Sequence, residues 1–242
     1  MKRRPKVFAI VVAAGSGTRF ASRVPKQFLV LRDRPLVVHT LGRFEDAPEV
    51  DEIVLVVPEA SLADAQALVR RSGLRKVGAV VAGGRRRQDS VANGLMKLSL
   101  RPSDIILVHD GVRPFVDRRQ IAQVIAECRK HKAAVLAVQP KDTVRRSSGG
   151  IFFDRTLDRT ALWLIQTPQA FTAGLLKRAM AMAAKGGISA TDEAALVERL
   201  GIKARIVHGS YDNIKITTPE DLELGKLIDK RWQADAVPRT TV

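Results

Sequence analysis

Val7-Phe8-Ala9-Ile10-Val11-Val12 runs straight into Ala13-Ala14-Gly15-Ser16-Gly17-Thr18-Arg19, and Pro25-Lys26-Gln27 follows shortly after. A β-branched run closing on two alanines and two glycines reads as a strand that opens into a loop. Its backbone N–H groups can meet a ligand with no Cβ in the way. Ala13, Ala14, Gly15 and Gly17 are therefore candidate nucleotide contacts. Arg19 and Lys26 add two positive charges beside them, suited to an extended triphosphate. The stretch is not a P-loop, because no Gly-Lys-Ser/Thr follows. Nor is it the dinucleotide fingerprint, whose third glycine would fall at Phe20. Taken alone, the glycines also suit a plain strand-to-helix turn. The arginine and the Pro-Lys-Gln carry the reading towards phosphate chemistry.

Outward from that loop, short apolar runs alternate with amphipathic ones. Strands are expected at Val7–Val12, Glu52–Val57, Val77–Ala82, Asp104–His109, Ala133–Val138, Ala204–Val207 and Asn213–Thr217. Helices are expected at Leu36–Phe44, Leu62–Arg71, Ser90–Leu98, Arg118–Lys130, Ala173–Ala184, Asp192–Leu200 and Pro219–Lys230. Such alternation predicts an α/β fold, a mostly parallel sheet with helices on both faces. The last helix has a marked start, with Thr218 as N-cap, Pro219 in the first position and Glu220 and Asp221 in the first turn. One stretch breaks the rhythm. Between Lys141 and Arg159 the turn Ser147-Ser148-Gly149-Gly150 lies between Asp142–Arg146 and Ile151-Phe152-Phe153, which reads as a protruding β-hairpin arm. Its phenylalanines need cover, either from a second subunit or from the parent domain. Residues 1–232 are expected to form one domain, with 141–159 as the arm and 233–242 as a flexible, aperiodic tail.

Composition narrows the function. A formal charge of +16 allows nucleic acid, a membrane surface or a small anionic substrate. The cations are scattered, aromatics make up only 5% of residues, and no RNP, zinc-finger or helix-turn-helix pattern occurs, which argues against nucleic acid. No apolar run approaches the ~18 residues of a membrane span, and the basic N-terminus leads into the glycine loop instead of a cleavage site. A cytoplasmic protein with no membrane partner is expected. The single cysteine, Cys128, is expected in the core.

Ligands of open α/β sheets bind outside the carboxyl ends of the strands. There this chain places Gly83-Gly84, with Ser90 starting the next helix, as candidates for reading a base edge. Asp110 follows another strand. A carboxylate among cations suits a divalent ion such as Mg²⁺ bridging phosphates, and equally suits a turn or helix cap. No G-x-S-x-G, H-E-x-x-H or Cys/His array is present, and His109 beside the site fits a core or supporting role. Cations and one carboxylate, without an evident base, suit a nucleophile already ionised at neutral pH. A phosphate monoester, with a second pKa near ~6, is one. Its attack on the α-phosphorus of a nucleoside triphosphate needs positioning and charge neutralisation more than proton abstraction.

The opening loop with Pro25-Lys26-Gln27 is joined by Gly83-Gly84, Arg87 and Asp89-Ser90-Val91, then by Val108-His109-Asp110 with Arg113-Pro114. Asp142-Thr143, Asp158-Arg159, Leu162-Trp163 and Thr167-Pro168-Gln169 come next, then Thr191-Asp192-Glu193-Ala194, Asp212-Asn213-Ile214-Lys215 and Pro219-Glu220-Asp221-Leu222. In this unbroken order, from about Val7 to Leu227, the chain resembles the 2-C-methyl-D-erythritol 4-phosphate cytidylyltransferases. The resemblance implies a homodimeric, Rossmann-like nucleotidyltransferase. Such an enzyme makes 4-diphosphocytidyl-2-C-methyl-D-erythritol and pyrophosphate from CTP with Mg²⁺, or another divalent cation, in the non-mevalonate isoprenoid pathway. It gives Arg19 and Lys26 to the triphosphate and transition state, and Lys215 to the α-phosphate. Gly83 and Ser90 would face the cytosine, and Asp110 would serve the metal and the ribose or substrate side. Arg113 and Thr167 would flank the methylerythritol phosphate, and Thr143 and Arg159 would cross on the arm to the neighbour's site.

Two departures are visible. Arg85-Arg86 stand where some relatives carry an acidic residue, which leaves backbone contacts to the base intact but not side-chain ones, and the stretch His109-Asp110-Gly111-Val112-Arg113 replaces an alanine pair seen in relatives. A cytidylyltransferase for another polyol phosphate, such as ribitol 5-phosphate, shares most of the loop motifs. The reading from another class is a basic nucleic-acid-binding protein. Some relatives are fused to a cyclodiphosphate synthase, so the tail after Trp232 is also a candidate linker.

Overall fold

In the computed structural model, which describes residues 3–15 and 25–236, seven strands form one sheet. They are β1 (Val7–Val12), β2 (Glu52–Val57), β3 (Val77–Ala82), β4 (Ile105–Asp110), β5 (Ala133–Val138), β6 (Leu164–Thr172) and β7 (Arg205–His208). Their order is β7-β5-β6-β4-β1-β2-β3, and only β6 runs antiparallel to its neighbours. The helices are α1 (Leu36–Glu45), α2 (Leu62–Arg71), α3 (Arg87–Met96), α4 (Arg118–His131), α5 (Ala173–Lys185), α6 (Glu193–Glu198) and α7 (Pro219–Ala236). The mostly parallel, two-sided α/β architecture is the expected one.

Period-two alternation explains why both faces are covered. Along β1, Val7, Ala9 and Val11 join the core packed by α1, α2 and α4, while Phe8 and Ile10 join the core packed by α3, α5 and α6. Phe44 and Cys128 lie fully buried in the first layer, and burial pushes the Cys128 thiol up to about 12, so it packs as a small hydrophobe. A third cluster of Leu31, Leu36, Phe115, Ile216 and Ile228 seats α7. Thr218 caps that helix as expected. Its hydroxyl accepts the Asp221 N–H at 3.3 Å, and the Asp221 carboxylate accepts the Thr218 N–H at 2.9 Å.

Four expectations need correction. Asn213–Thr217 is irregular, held by a bond from the Ile216 N–H to Val112 O and by the Asn213 side chain. Conversely, Leu164–Thr172 is a nine-residue strand although it contains Pro168, because a register shift between Ile165 and Gln169 takes the proline out of the ladder. Helix α3 starts at Arg87, three residues before Ser90, because the Asp89 carboxylate accepts the Arg86 N–H and stabilises an earlier first turn. The tail does not begin at Gln233: α7 continues to Ala236, with the Gln233 side chain bonded to Asp229. Residues 237–242 of that tail lie outside the described residues.

The arm is present as a two-stranded ribbon pairing Arg145–Arg146 with Arg155–Thr156, apart from the main sheet. Beyond it Ile151, Phe152 and Phe153 are exposed, Phe152 at 82%. Among the described residues, no helix is long and apolar enough to cross a membrane.

Candidate active site

Parallel strands β1 and β4 end side by side, with Val12 opposite Asp110, and deliver the glycine loop and the carboxylate to one edge. Two glycines keep that edge tight. A Cβ on Gly111 would lie 2.7 Å from the Ala13 Cβ, and one on Gly83 would overlap the Ala14 Cβ. Neither position tolerates a side chain without moving the loop.

Asp110 is the hub. Its Oδ1 accepts from Arg87 Nε at 3.2 Å, and its Oδ2 meets Arg113 Nε at 3.2 Å and Lys215 Nζ at 3.1 Å. Burial alone would raise its pKa, but Arg87, Lys215 and Arg113 outweigh that and hold the carboxyl well below the usual range. Asp110 is therefore ionised at every physiological pH, and it fixes three cations in place. Arg113 is held further by the Asn213 carbonyl at 2.7 Å. Arg87 is held by Glu193, whose oxygens lie 2.8 and 2.6 Å from Nη1.

Behind the carboxylate lies a buried relay whose proton positions follow from its acceptors. His109 Nε2 faces the Arg113 carbonyl at 3.1 Å, so that nitrogen carries the hydrogen and donates. Burial pushes the imidazole down to about 4, so Nδ1 is bare at neutral pH and accepts from the Thr167 hydroxyl at 3.0 Å. The Thr167 oxygen in turn accepts the Asp110 N–H at 3.1 Å. His109 thus has the supporting role expected of it, and its ring edge packs against Phe44.

Two cavities meet at this hub. One, of 450 Å³, is lined by Ala13, Ala14, Gly15, Lys26, Gly84 and Ser90, among others. The other, of 260 Å³, is lined by Arg113, Thr167, Gln169 and Asp192, among others. Arg87, Asp110 and Lys215 line both.

The candidate residues distribute unevenly over this frame. Ala13, Ala14, Gly15, Lys26, Ser90, Asp110 and Lys215 converge on the larger cavity, and Arg113 and Thr167 on the smaller. Gly84, not Gly83, lines the wall. The Gly83 N–H is committed to Val57 O at 2.8 Å and the Gly84 N–H to Ser90 Oγ at 3.1 Å. The Ser90 hydroxyl donates to Arg86 O at 3.2 Å, so its first task is to hold the turn. Thr143 and Arg159 are exposed on the arm and line neither cavity; the Arg159 guanidinium donates to Lys141 O at 2.6 Å. Gly17 and Arg19 lie outside the described residues. Sequence reasoning gave Arg87 and Glu193 no roles. The signal for Arg87 was available: a cation in the first turn of a helix sits against the helix dipole and needs a compensating partner.

As for a metal, among the described residues no group of three or more His, Cys, Asp or Glu side chains is placed to hold one. Among the described residues Asp110 Oδ1 has one partner, Arg87 Nε, and keeps a lone pair, which fits an ion held mainly by substrate phosphates with a single carboxylate.

Comparison with known proteins agrees with this geometry. Residues 7–231 match the family model described as IspD, 2-C-methyl-D-erythritol 4-phosphate cytidylyltransferase. The protein of that name from Syntrophus aciditrophicus is 44% identical over 229 residues, covering 94% of this chain and 97% of the relative. The crystal structure of the 4-diphosphocytidyl-2C-methyl-D-erythritol synthase of Anaerococcus prevotii superposes with a TM-score of 0.81 at 31% identity, covering 94% and 97% of the two chains. A bifunctional IspD/IspF enzyme of Desulforudis audaxviator is 48% identical over 221 residues, covering 91% of this chain and 56% of that protein.

Proposed function

The chain belongs to the 2-C-methyl-D-erythritol 4-phosphate cytidylyltransferase family, and on that premise we propose that it transfers CMP from CTP to 2-C-methyl-D-erythritol 4-phosphate. The products are pyrophosphate and 4-diphosphocytidyl-2-C-methyl-D-erythritol, on the non-mevalonate isoprenoid pathway. The observation that carries the proposal is the pair of cavities sharing Arg87, Asp110 and Lys215. A nucleotide in the larger and a phosphate monoester in the smaller would bring two anions to one cationic junction.

The larger cavity suits a cytidine nucleotide. With the N–H groups of Gly83 and Gly84 engaged, the carbonyls are what the turn has left to offer, and the amino group of cytosine is a donor that uracil lacks. Lys26 and Arg19 serve the triphosphate and the charge that builds on the leaving pyrophosphate. Lys215 serves the α-phosphate, and Arg113 and Thr167 the methylerythritol phosphate. In the reaction a phosphate oxygen of the acceptor bonds to the α-phosphorus while the bond from that phosphorus to the α,β-bridging oxygen breaks, and its electron pair leaves with pyrophosphate. No proton need be removed, because the attacking phosphate is dianionic above ~pH 6. The fixed cations act by preorganisation, with little rearrangement as charge moves. A divalent ion, Mg²⁺ in our reading, supplies further neutralisation of phosphate charge when bound, with Asp110 as its protein carboxylate.

We also assign a homodimer in which Thr143 and Arg159 complete the partner's substrate site. The exposed Phe152 and Phe153 support this by giving the arm apolar surface to bury. Association or fusion with a cyclodiphosphate synthase draws support from the bifunctional relative, and a cytoplasmic location from a single free cysteine. The test is a pyrophosphate-release assay crossing CTP, UTP, ATP and GTP with methylerythritol phosphate and ribitol 5-phosphate. Release confined to CTP with methylerythritol phosphate is expected. Preference for ribitol 5-phosphate moves the chain to the other polyol, and binding of DNA with no turnover rejects the enzymatic reading.

A further inference from the structure

Arg87 is one of three side chains that line both cavities, and its environment is more constrained than contact with ligand alone requires. It occupies the first position of α3, where the helix dipole disfavours a cation. Two carboxylates from other elements compensate: Asp110 at the end of β4 takes Nε, and Glu193 at the start of α6 takes Nη1 with both oxygens. Nη2 is the guanidinium nitrogen with no partner among the described residues, and the side chain lines both cavities while 25% exposed.

Glu193 is itself rigidly mounted. It is 1% exposed, and the turn that carries it is tied to β6 by Gln169, whose amide donates to Asp192 Oδ2 at 2.8 Å and accepts the Ala194 N–H at 3.1 Å. Burying a second carboxylate is expensive unless it is paired. With Glu193 absent, Arg87 is free to close fully onto Asp110 and turn its last donors away from the ligands.

We propose that Arg87 is a catalytic residue whose Nη2 donates to phosphoryl oxygen at the junction of the two cavities, and that Glu193 is its positioning residue. The inference rests on the cytidylyl-transfer reading. Glu193 divides the guanidinium between two carboxylates, so that one nitrogen stays available to the anion formed where acceptor phosphate and α-phosphate meet. Misplacement of such a donor by about 1 Å costs on the order of 10²-fold in rate.

The experiment is a double-mutant cycle on purified full-length protein, with steady-state pyrophosphate release and thermal midpoints measured for each variant. Glu193→Gln is expected to lower kcat at least ~10-fold while KM for CTP stays within about threefold, since the carboxamide no longer fixes Nη1 by charge. Arg87→Gln is expected to lose at least as much, and Glu193→Gln should add nothing in that background. A structural role alone would lower the thermal midpoint and the amount of folded enzyme, and would do so in both backgrounds. If Glu193→Gln does not fold, Glu193→Asp is read in the same way: it keeps the charge with a shorter reach and is expected to lose part of kcat with wild-type Arg87 and none with Arg87→Gln. Wild-type kcat in the Glu193 variants, or equal fold-losses in both backgrounds, overturns the inference. Failure of the wild-type chain to release pyrophosphate with CTP and methylerythritol phosphate would instead reject the reading beneath it.

Discussion

Acidification from pH 7 to pH 5 is expected to remove about 2 kcal/mol of folding stability through His109 alone. The imidazole is fully buried, and burial pushes it down to about 4, whereas an ordinary imidazole titrates near ~6.5. Between those values the unfolded chain binds a proton that the folded chain refuses. The stabilisation is complete above about pH 6.5 and is lost as pH falls towards 4, at up to ~1.4 kcal/mol per pH unit. Asp110, held below the usual carboxylate range, loses its contribution only in stronger acid, outside this window. Glu193, pushed up by burial, acts in the opposite direction. The readout is therefore a difference: urea unfolding at pH 7, 6 and 5 for the wild type and for His109→Gln, which does not titrate. The two pH dependences should diverge by about 2 kcal/mol, the wild type being the steeper. Parallel pH dependences, or a native His109 ring that titrates near 6.5 by NMR, would refute the assignment of a neutral imidazole and with it the direction of the Thr167 hydrogen bond.

Other outcomes follow from the same site. Arg19→Ala and Lys26→Ala should each lower turnover by ~10²–10³ while leaving the thermal midpoint near wild type; turnover within a few-fold of wild type removes them from the catalytic role. Asp110→Asn should lower activity, raise the Mg²⁺ concentration needed for half-maximal rate, and cost about 3 kcal/mol because three cations lose their shared anion; an unchanged Mg²⁺ titration would leave Asp110 only its cations to hold. Arg159→Ala and Lys215→Ala should each be nearly inactive, yet mixed dimers refolded from the two should recover up to about a quarter of wild-type activity, because one site receives both intact residues; no recovery in a verified mixed dimer would assign each arm to its own subunit.

The elements with clear periodicity were legible in the sequence. β1, β2, β3, β5 and α2 have the expected bounds, because each is a compact apolar run or amphipathic stretch with turn residues at its ends. What escaped was decided by tertiary contact. Leu164–Thr172 carries Gln166, Thr167, Pro168 and Gln169, a poor strand by composition, and it is one because buried partners satisfy those polar groups. Val77–Ala82 and 213–217 both offered short apolar alternation, but only the first has a neighbouring strand to pair with. At the site, the residue types at the strand ends pointed to phosphate chemistry. The engagement of the Gly83 N–H by Val57, the acceptance by His109 Nδ1 of the Thr167 hydroxyl and the sharing of Arg87 between two carboxylates depend on partners 23 to 106 positions away, beyond the reach of local pattern.

The most direct test of the central claim follows oxygen. Methylerythritol phosphate carrying ¹⁸O in its terminal phosphate oxygens, incubated with unlabelled CTP and Mg²⁺, is analysed by ³¹P NMR and mass spectrometry of both products. Attack of that phosphate on the α-phosphorus predicts a diphosphate-bridged cytidyl product that retains every labelled oxygen, one of them in the bridge, and pyrophosphate with none. Label in pyrophosphate, or release of free CMP with no bridged product, would contradict it.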